Sequence, residues 1–503
     1  MSSDAAVIDV GSNSVRLVVY RIEGRAVWTV FNEKILAGLG RDLTVSGRLS
    51  RPGMEAALSA LRRFAALLGA VRPDRVFAVA TAAIRDAADG SDFRRLVEAE
   101  TGLELRVLSG AEEARYSALG VLAGAPGSIG LAGDLGGASL ELIRLDGDEP
   151  GEGLTLPLGP FSLKDSGRFD PDRVRAQVER RLRRHASTLS AKTFHAVGGA
   201  WRNLALLAMR MSGYPLEIVH QYELTRREAL EAARVIARQS PRSLERIEGI
   251  SRRRLETLPH AAVVLECLIE ALGIERVILS AYGLREGVLF ESMPAACRGL
   301  DPLIEGCSAW SAREGANPAL GAAVEAWVGP AFASLEPVLA SREPVLVAAA
   351  SRLADVGARL HPGHRADLIF NQVLRAPIPG MNHAERAFLA IALFARHTSA
   401  ATDPAPELTT RLLDHEQVRR ARSVGAAIRL ACDLSGRSPD LLARARLRFG
   451  AGVVVVEADE AAAPILFGEQ TAKRGATLAA LMDRTLDLRP TLASPAKGRE
   501  KAA

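Results

Sequence analysis

At 503 residues, with 48% hydrophobic and 24% charged side chains, the chain has the composition of an ordinary folded protein and the length for two to four domains. A formal charge of +5 is small for that length: it allows anionic ligands but excludes the strongly basic footprint of a dedicated nucleic-acid binder. Cys267, Cys297, Cys307 and Cys432 stand far apart without C-x-x-C spacing, which fits a reduced cytosolic protein better than a disulfide scaffold or a zinc site.

Residues 6–20 open the chain with an apolar run that ends on Asp9, passes through Gly11-Ser12-Asn13-Ser14 and resumes with alternating β-branched and polar residues. That pattern predicts strand, loop, strand. No apolar run reaches membrane-spanning length, so the expected location is the cytoplasm, with no membrane partner. Residues 26–31 predict a third strand. A turn at 46–50 leads into a helix over 54–68, with Pro52 near its first turn. Strands follow at 75–81 and 103–108, separated by a helix over 92–100, and Ser109 is placed to cap the helix that begins with Glu112 and Glu113. Small turn residues at 123–127 mark a boundary.

Residues 129–143 then repeat the opening pattern around Asp134, Gly136, Gly137, Ser139 and Glu141. A strand near 153–158, a helix over 171–187 and a strand over 193–197 complete the repetition, and Gly198-Gly199 turns that last strand into a helix from Trp201. A further strand covers 276–280, and a second boundary falls at 294–302. Beyond it the periodicity is mostly helical, with a strand expected over 447–457 and a disordered tail from Ser494.

The two glycine loops carry the chemistry. Glycines let backbone N–H groups approach phosphate oxygens without a Cβ in the way, and Ser12, Asn13, Ser14 and Ser139 add side-chain donors. Asp9, Asp134 and Glu141 would repel phosphate unless a cation bridges them. Hard oxygen ligands of this kind point to Mg²⁺, which keeps its waters and bridges to substrate phosphate. Walker A loops and dinucleotide fingerprints run from strand through glycines into helix, whereas both loops here lead into strands. One such loop alone reads as a plain hairpin turn; two matching loops, each headed by an acid, point to a duplicated phosphate clamp.

Asp9-x-Gly11-Ser12-Asn13-Ser14 and Asp134-x-Gly136-Gly137-x-Ser139-x-Glu141 resemble the phosphate-1 and phosphate-2 motifs of the exopolyphosphatase/guanosine pentaphosphate phosphatase (Ppx/GppA) family, within the actin-like ATPase superfamily. Residues 79–87, Ser109-Gly110-x-Glu112-Glu113-Ala114-Arg115, residues 156–159 and residues 280–287 match further segments in the same order, over about the first three hundred residues. The resemblance implies an α/β fold: two actin-like (ribonuclease H-like) domains in tandem, 1–124 and 125–300, then a mainly α-helical, HD-like domain over 301–503. It also implies hydrolysis of the terminal phosphoanhydride bond of inorganic polyphosphate, with Glu113 as general base and Arg85 neutralising the transferred phosphoryl group. Gly11, Ser12, Asn13, Ser14, Gly136, Gly137, Ala138 and Ser139 would bind phosphate. Asp134 and Glu141 would hold Mg²⁺, with Asp9 near it, and a homodimer is implied. Ala138, Leu140 and Ala82 depart from the glycine, threonine and serine frequent at those positions, which touches tuning rather than activity. The strand-to-helix turn at Gly198-Gly199 resembles the superfamily's adenosine-binding position, with close strand–helix packing as the alternative reading.

Alternatives share these residues. One is a guanosine pentaphosphate 5′-phosphohydrolase; another is a sugar or acetate kinase; a third is a non-catalytic regulator that binds polyphosphate or guanosine tetra- and pentaphosphate. In the C-terminal part, Leu353-Ala354-Asp355-Val356-Gly357, with its surroundings through His361, His364 and Asp367, resembles an HD signature in which Ala354 stands where the metal-binding His belongs; a lone Asp355 with His361 nearby is weak metal chemistry, so the domain reads as degenerate. Arginine clusters at 180–184, 252–254 and 419–422 read as solvated helix faces, or as a basic track for a polyanion.

Overall fold

The computed structural model describes residues 2–147, 149–163, 169–239 and 257–491. Arg252, Arg253, Arg254 and the tail from Ser494 lie outside the described residues. The chain divides into two compact units, Met1–Pro302 and Leu303–Ala503.

In the first unit β1 (Ser2–Val10), β2 (Val15–Glu23) and β3 (Ala26–Ile35) form an antiparallel meander. β4 (Arg75–Ala80) runs parallel to β1, and β5 (Arg106–Val107) parallel to β4, giving the order β3-β2-β1-β4-β5. Side chains alternate across a strand, and β1 is buried on both faces. Ala6, Ile8 and Val10 join a core with Leu61, Phe64 and Leu68 of the helix Arg51–Val71, while Ala5 and Val7 join Leu289 and Met293. By this alternation Asp9 belongs to the second face.

The second sheet repeats the first. β6 (Ile129–Leu135), β7 (Leu140–Asp146) and β8 (Glu149–Leu156) form the meander, and β9 (Thr193–Val197) runs parallel to β6. With β10 (Glu223–Thr225) and β11 (Arg276–Leu279) the order is β10-β11-β9-β6-β7-β8, so β8-β7-β6-β9-β11 matches the first sheet and β10 is an added edge. Leu131 and Leu135 pack with Phe194 and Trp201 on one face. On the other, Ala132, Ile143 and Leu145 pack with Ala114, Ala118, Val121 and Leu122 of the helix Gly110–Gly124. The expected helix over 171–187 ends at Leu182, its last buried apolar residue; exposed Arg183 and Arg184 follow, and a short helix Ala186–Leu189 resumes.

The helix Gly110–Gly124 also packs Tyr116 and Leu119 against Leu284 and Val288 of the helix Leu284–Ser292. The two helices touch through backbone. A Cβ on Gly120 would lie 2.1 Å from the Gly283 carbonyl oxygen, and one on Gly287 would lie 1.8 Å from that of Tyr116. Glycine is required at both places because no side chain fits.

The second unit is mainly helical. The helix His383–His397 is buried on nearly every face, as an all-round apolar helix must be, and the helices Arg365–Arg375 and His415–Leu434 pack against it. The strand expected over 447–457 is a hairpin, β12 (Ala445–Gly450) and β13 (Val453–Asp459), turning at Gly452 with φ of +71°; β14 (Thr485–Thr491) adds parallel to β13. Among the described residues no helix is long and apolar enough to cross a membrane.

Candidate active site

Both glycine loops are closed by the same bond. The Gly11 N–H donates to the Ser14 carbonyl at 2.9 Å, and the Gly136 N–H donates to the Ser139 carbonyl at 2.9 Å. Neighbouring segments consume other loop carbonyls: Gly40 and Gly38 donate to Ser12 and Asn13, while Gly159 and Phe161 donate to Ala138 and Gly137. The N–H groups of Ser12, Asn13, Gly137 and Ala138 donate to no acceptor among the described residues. A backbone donor turned to a cleft in this way is a ready anion ligand. The loops face a cleft of about 220 Å³ lined by Gly11, Ser12, Asn13, Ser14, Gly136, Gly137 and Ser139 with Asp9, Glu113, Asp134 and Glu141.

Each acid is positioned by the fold. Ser109 and Glu112 form a reciprocal capping box: the Glu112 N–H donates to Ser109 Oγ at 3.2 Å, and the Ser109 N–H donates to Glu112 Oε2 at 2.8 Å. That assigns Glu112 to the helix end and leaves Glu113, one residue on, facing the cleft and only 7% exposed. Arg85 Nη1 donates to Glu113 Oε2 and to the Leu108 carbonyl, both at 3.1 Å, and Arg85 Nε donates to Asp86 Oδ1 at 2.9 Å. Burial pushes the Glu113 carboxyl up to about 7; Arg85 opposes the shift, and the neighbouring Asp134 and Asp9 add to it. Asp134 and Glu141 are cross-strand partners on β6 and β7. Ser117, one helical turn from Glu113, donates to Asp134 Oδ2 at 2.5 Å. Burial raises both carboxyls, with Glu113 adding to the shift at Glu141. Glu141 Oε1 is buried with no partner.

Asp9 is engaged from the second half of the unit. Arg285 Nη1 lies 3.3 Å from Asp9 Oδ2, and the same helix end holds Glu286, which accepts from Tyr20 Oη at 2.7 Å and from the Gly283 N–H at 2.9 Å. Arg285 lines the cleft together with Arg16, Lys34 and Arg202. Burial, then Arg285 and Arg202, push Arg16 down to about 10. Sequence reasoning gave none of these four cations a role, although Arg16 is the cross-strand partner of Asp9 just past the first loop. Arg85 is set apart: it lines a neighbouring pocket of about 350 Å³ that shares Ala82, Ser139 and Phe161 with the main cleft, as does Ala138.

The donor set suits a hard cation. Crowded carboxylates with an orphaned oxygen at Glu141 call for positive charge, and Mg²⁺ needs only one or two protein carboxylates when waters and substrate phosphates fill the rest. Among the described residues no group of three or more His, Cys, Asp or Glu is placed to hold a metal ion, so Asp9, Asp134 and Glu141 do not close into a three-carboxylate site. At Gly198, φ is +113° and a Cβ would lie 2.6 Å from the Leu135 carbonyl oxygen, so close packing there is required; Gly198 and Gly199 also line the cleft.

In the second unit Ala354 is buried and Asp355 pairs with Arg437 at 3.1 Å, while His361, His364 and Asp367 are exposed. These residues do not fit an HD metal centre. His383 and His397 are buried packing residues. Arg419 pairs with Asp483 at 2.6 Å, Arg420 with Glu343, and Arg422 donates to the Ala400 carbonyl at 2.9 Å, so that cluster is committed locally. Arg183 and Arg184 are exposed, and Arg181 donates to the Pro157 carbonyl.

Residues 18–296 match the family model described as the Ppx/GppA phosphatase family, and residues 314–488 match the one described as exopolyphosphatase, C-terminal. Exopolyphosphatase 1 of Mycobacterium tuberculosis is 30% identical over 319 residues, covering 60% of this chain and 91% of that protein. Exopolyphosphatase 1 of Mycobacterium leprae is 29% identical over 309 residues, covering 58% and 90%. Among solved structures, a Ppx/GppA family member from Aquifex aeolicus aligns with 57% of this chain and 97% of its own, with a TM-score of 0.51 and 27% identity. An exopolyphosphatase from Cytophaga hutchinsonii, 23% identical, shares the fold with a TM-score of 0.52 over 57% of this chain and 96% of its own.

Proposed function

Because the chain belongs to the Ppx/GppA phosphatase family and is a hydrolase of phosphoric anhydrides, we propose that it is an exopolyphosphatase releasing orthophosphate from the end of inorganic polyphosphate. The observation that carries this reading is Glu113: buried, held by Arg85 and facing two loops whose N–H groups are open to phosphate. Glu113 would take a proton from a water lined up against the terminal phosphorus, and the leaving group, itself a phosphate, needs little acid assistance. Loop N–H groups would grip the terminal phosphoryl oxygens. Arg85 orients the base and offsets its charge. Mg²⁺, when bound, would be held by Asp134 and Glu141 with Asp9 beside it, and would supply charge neutralisation on the phosphate oxygens.

Glu113→Gln tests the reading. Phosphate release from polyphosphate with Mg²⁺ should fall by roughly 10²–10⁴-fold while polyphosphate binding is retained. A variant that keeps its rate removes Glu113 from the base role, and a folded wild-type protein that releases no phosphate overturns the function. Guanosine pentaphosphate is the competing substrate. Phe161 is the only aromatic side chain among the cleft-lining described residues, which gives a guanine base little to stack on and favours polyphosphate. Competing the two substrates in one phosphate-release assay decides between them.

A further inference from the structure

Of the four cations that line the cleft, two stand in one row. Asp9 of β1 is the cross-strand partner of Arg16 of β2, and Arg16 is in turn the partner of Lys34 of β3. Residues opposite one another on neighbouring strands put their side chains on the same face of the sheet. All three line the cleft. The row runs from just before the first glycine loop to the edge of the sheet, because β3 is the outermost strand in the order β3-β2-β1-β4-β5. Exposure grows along it: Asp9 and Arg16 are half-buried, and Lys34 is exposed. Two strand spacings, roughly 10 Å, separate its ends.

Arg16 is held in place by one nitrogen. Its Nε donates to Asn32 Oδ1 at 2.8 Å, and Asn32 lies two residues before Lys34 on β3, hence on the same face. Neither terminal nitrogen of Arg16 donates to an acceptor among the described residues, and neither is buried away from solvent. The guanidinium therefore keeps its outer donors for an anion that enters the cleft. Glu33, between Asn32 and Lys34, belongs to the opposite face, where Arg63 Nε donates to its Oε1 at 2.7 Å. It does not interrupt the row. Like charges set opposite each other on neighbouring strands destabilise a sheet. Arg16 and Lys34 are such a pair, and an anion lying across both would relieve their repulsion.

We propose that Arg16 and Lys34 carry the body of a phosphate chain whose end sits on the glycine loops, and that Lys34, at the sheet edge, makes the protein favour long chains over short ones. The inference rests on the polyphosphate reading and extends it to chain length. Tripolyphosphate, with two P–O–P links, does not cover the span from Asp9 to Lys34. A long chain covers it and continues over β3.

Equilibrium binding to the full chain in a Glu113→Gln background, with tripolyphosphate and long-chain polyphosphate as probes, tests the proposal without reading turnover. Lys34→Gln should weaken long-chain binding by roughly 2–5-fold and tripolyphosphate binding by less. Lys34→Arg, which keeps the charge, should bind like the parent, and Lys34→Glu should lose more than Lys34→Gln. The long-chain advantage of the parent should shrink as salt rises, because an exposed charge is screened. Lys34 is exposed, so none of these changes opens a core. An equal loss on both probes, no loss on the long chain, or a Lys34→Arg variant that binds like Lys34→Gln overturns the proposal. A wild-type protein that binds both probes with the expected difference but releases no phosphate overturns the exopolyphosphatase reading and leaves the chain-binding row standing.

Discussion

The two adjacent acids at the start of the helix Gly110–Gly124 show how position divides labour. Glu112 completes a capping box in water-exposed surroundings, and Glu113 faces a cleft and is buried. The shift at Glu113 has a direct consequence for pH. Its carboxyl moves from an ordinary 4.5 in the unfolded chain to about 7 in the folded one. The folded state therefore binds more protons between those values, so this group's contribution to stability is fully present below pH 4.5 and is lost as pH rises through 7. In the proposed role activity runs the other way, since a base must be ionised: kcat/KM should rise through about pH 7 and level off above it. A pH series of initial rates checks the second trend. Melting temperatures of wild type and Glu113→Gln check the first, which should flatten in the variant. The two loops were legible in the sequence because each motif is local, whereas Glu113 stood out only through the family resemblance, since an acid in the first turn of a helix is by itself ordinary. The pairing of Asp9 with Arg285 was not, because it joins residues 276 positions apart, and no local pattern encodes a contact of that span.

At the scale of elements, the site depends on two helices in backbone contact. Gly287→Ala would drive a methyl group to within 1.8 Å of the Tyr116 carbonyl oxygen. The helices must part, at a cost of about 1–3 kcal/mol or more, and Glu113 must shift with its helix. A displacement near 1 Å is expected to lower kcat by up to about 10²-fold. Urea denaturation and steady-state kinetics on the same preparation measure both effects; an unchanged kcat would mean that the helix crossing does not set the position of the base. Both meanders were readable from alternation alone. The hairpin β12–β13 reads as one strand because Leu447 and Phe449, alternating with arginines, lead across a short glycine turn into Val453–Val456, and the turn becomes visible only once the arms pair. The parallel addition of β14 is a non-local pairing with no sequence signature of its own.

At the scale of the molecule, relatives from Mycobacterium match this chain over nine-tenths of their own length using three-fifths of ours. Their length accommodates little of a second unit, which predicts that residues 1–302 expressed alone stay folded and still release phosphate from polyphosphate. Circular dichroism and a phosphate-release assay on that fragment check this; a folded but inactive fragment would place an essential part of the site beyond Pro302. The duplication of the first unit was legible as two acid-headed glycine loops. Its most consequential detail was not, because it lies in the corresponding helices that follow β5 and β11. Each begins with a cap and a glutamate three residues on, Ser109 with Glu112 and Gly283 with Glu286. One position later the copies diverge, to Glu113 in the first and Gly287 in the second, and Gly287 is the residue pressed against the other helix. The internal two-fold likeness is thus broken at this position as well as by the added edge strand β10, and Gly287 has no room for a side chain because it lies against the Tyr116 carbonyl. In the proposed reaction the second half therefore offers no carboxylate at the position of Glu113, and nothing there could take over its role when Glu113 is replaced.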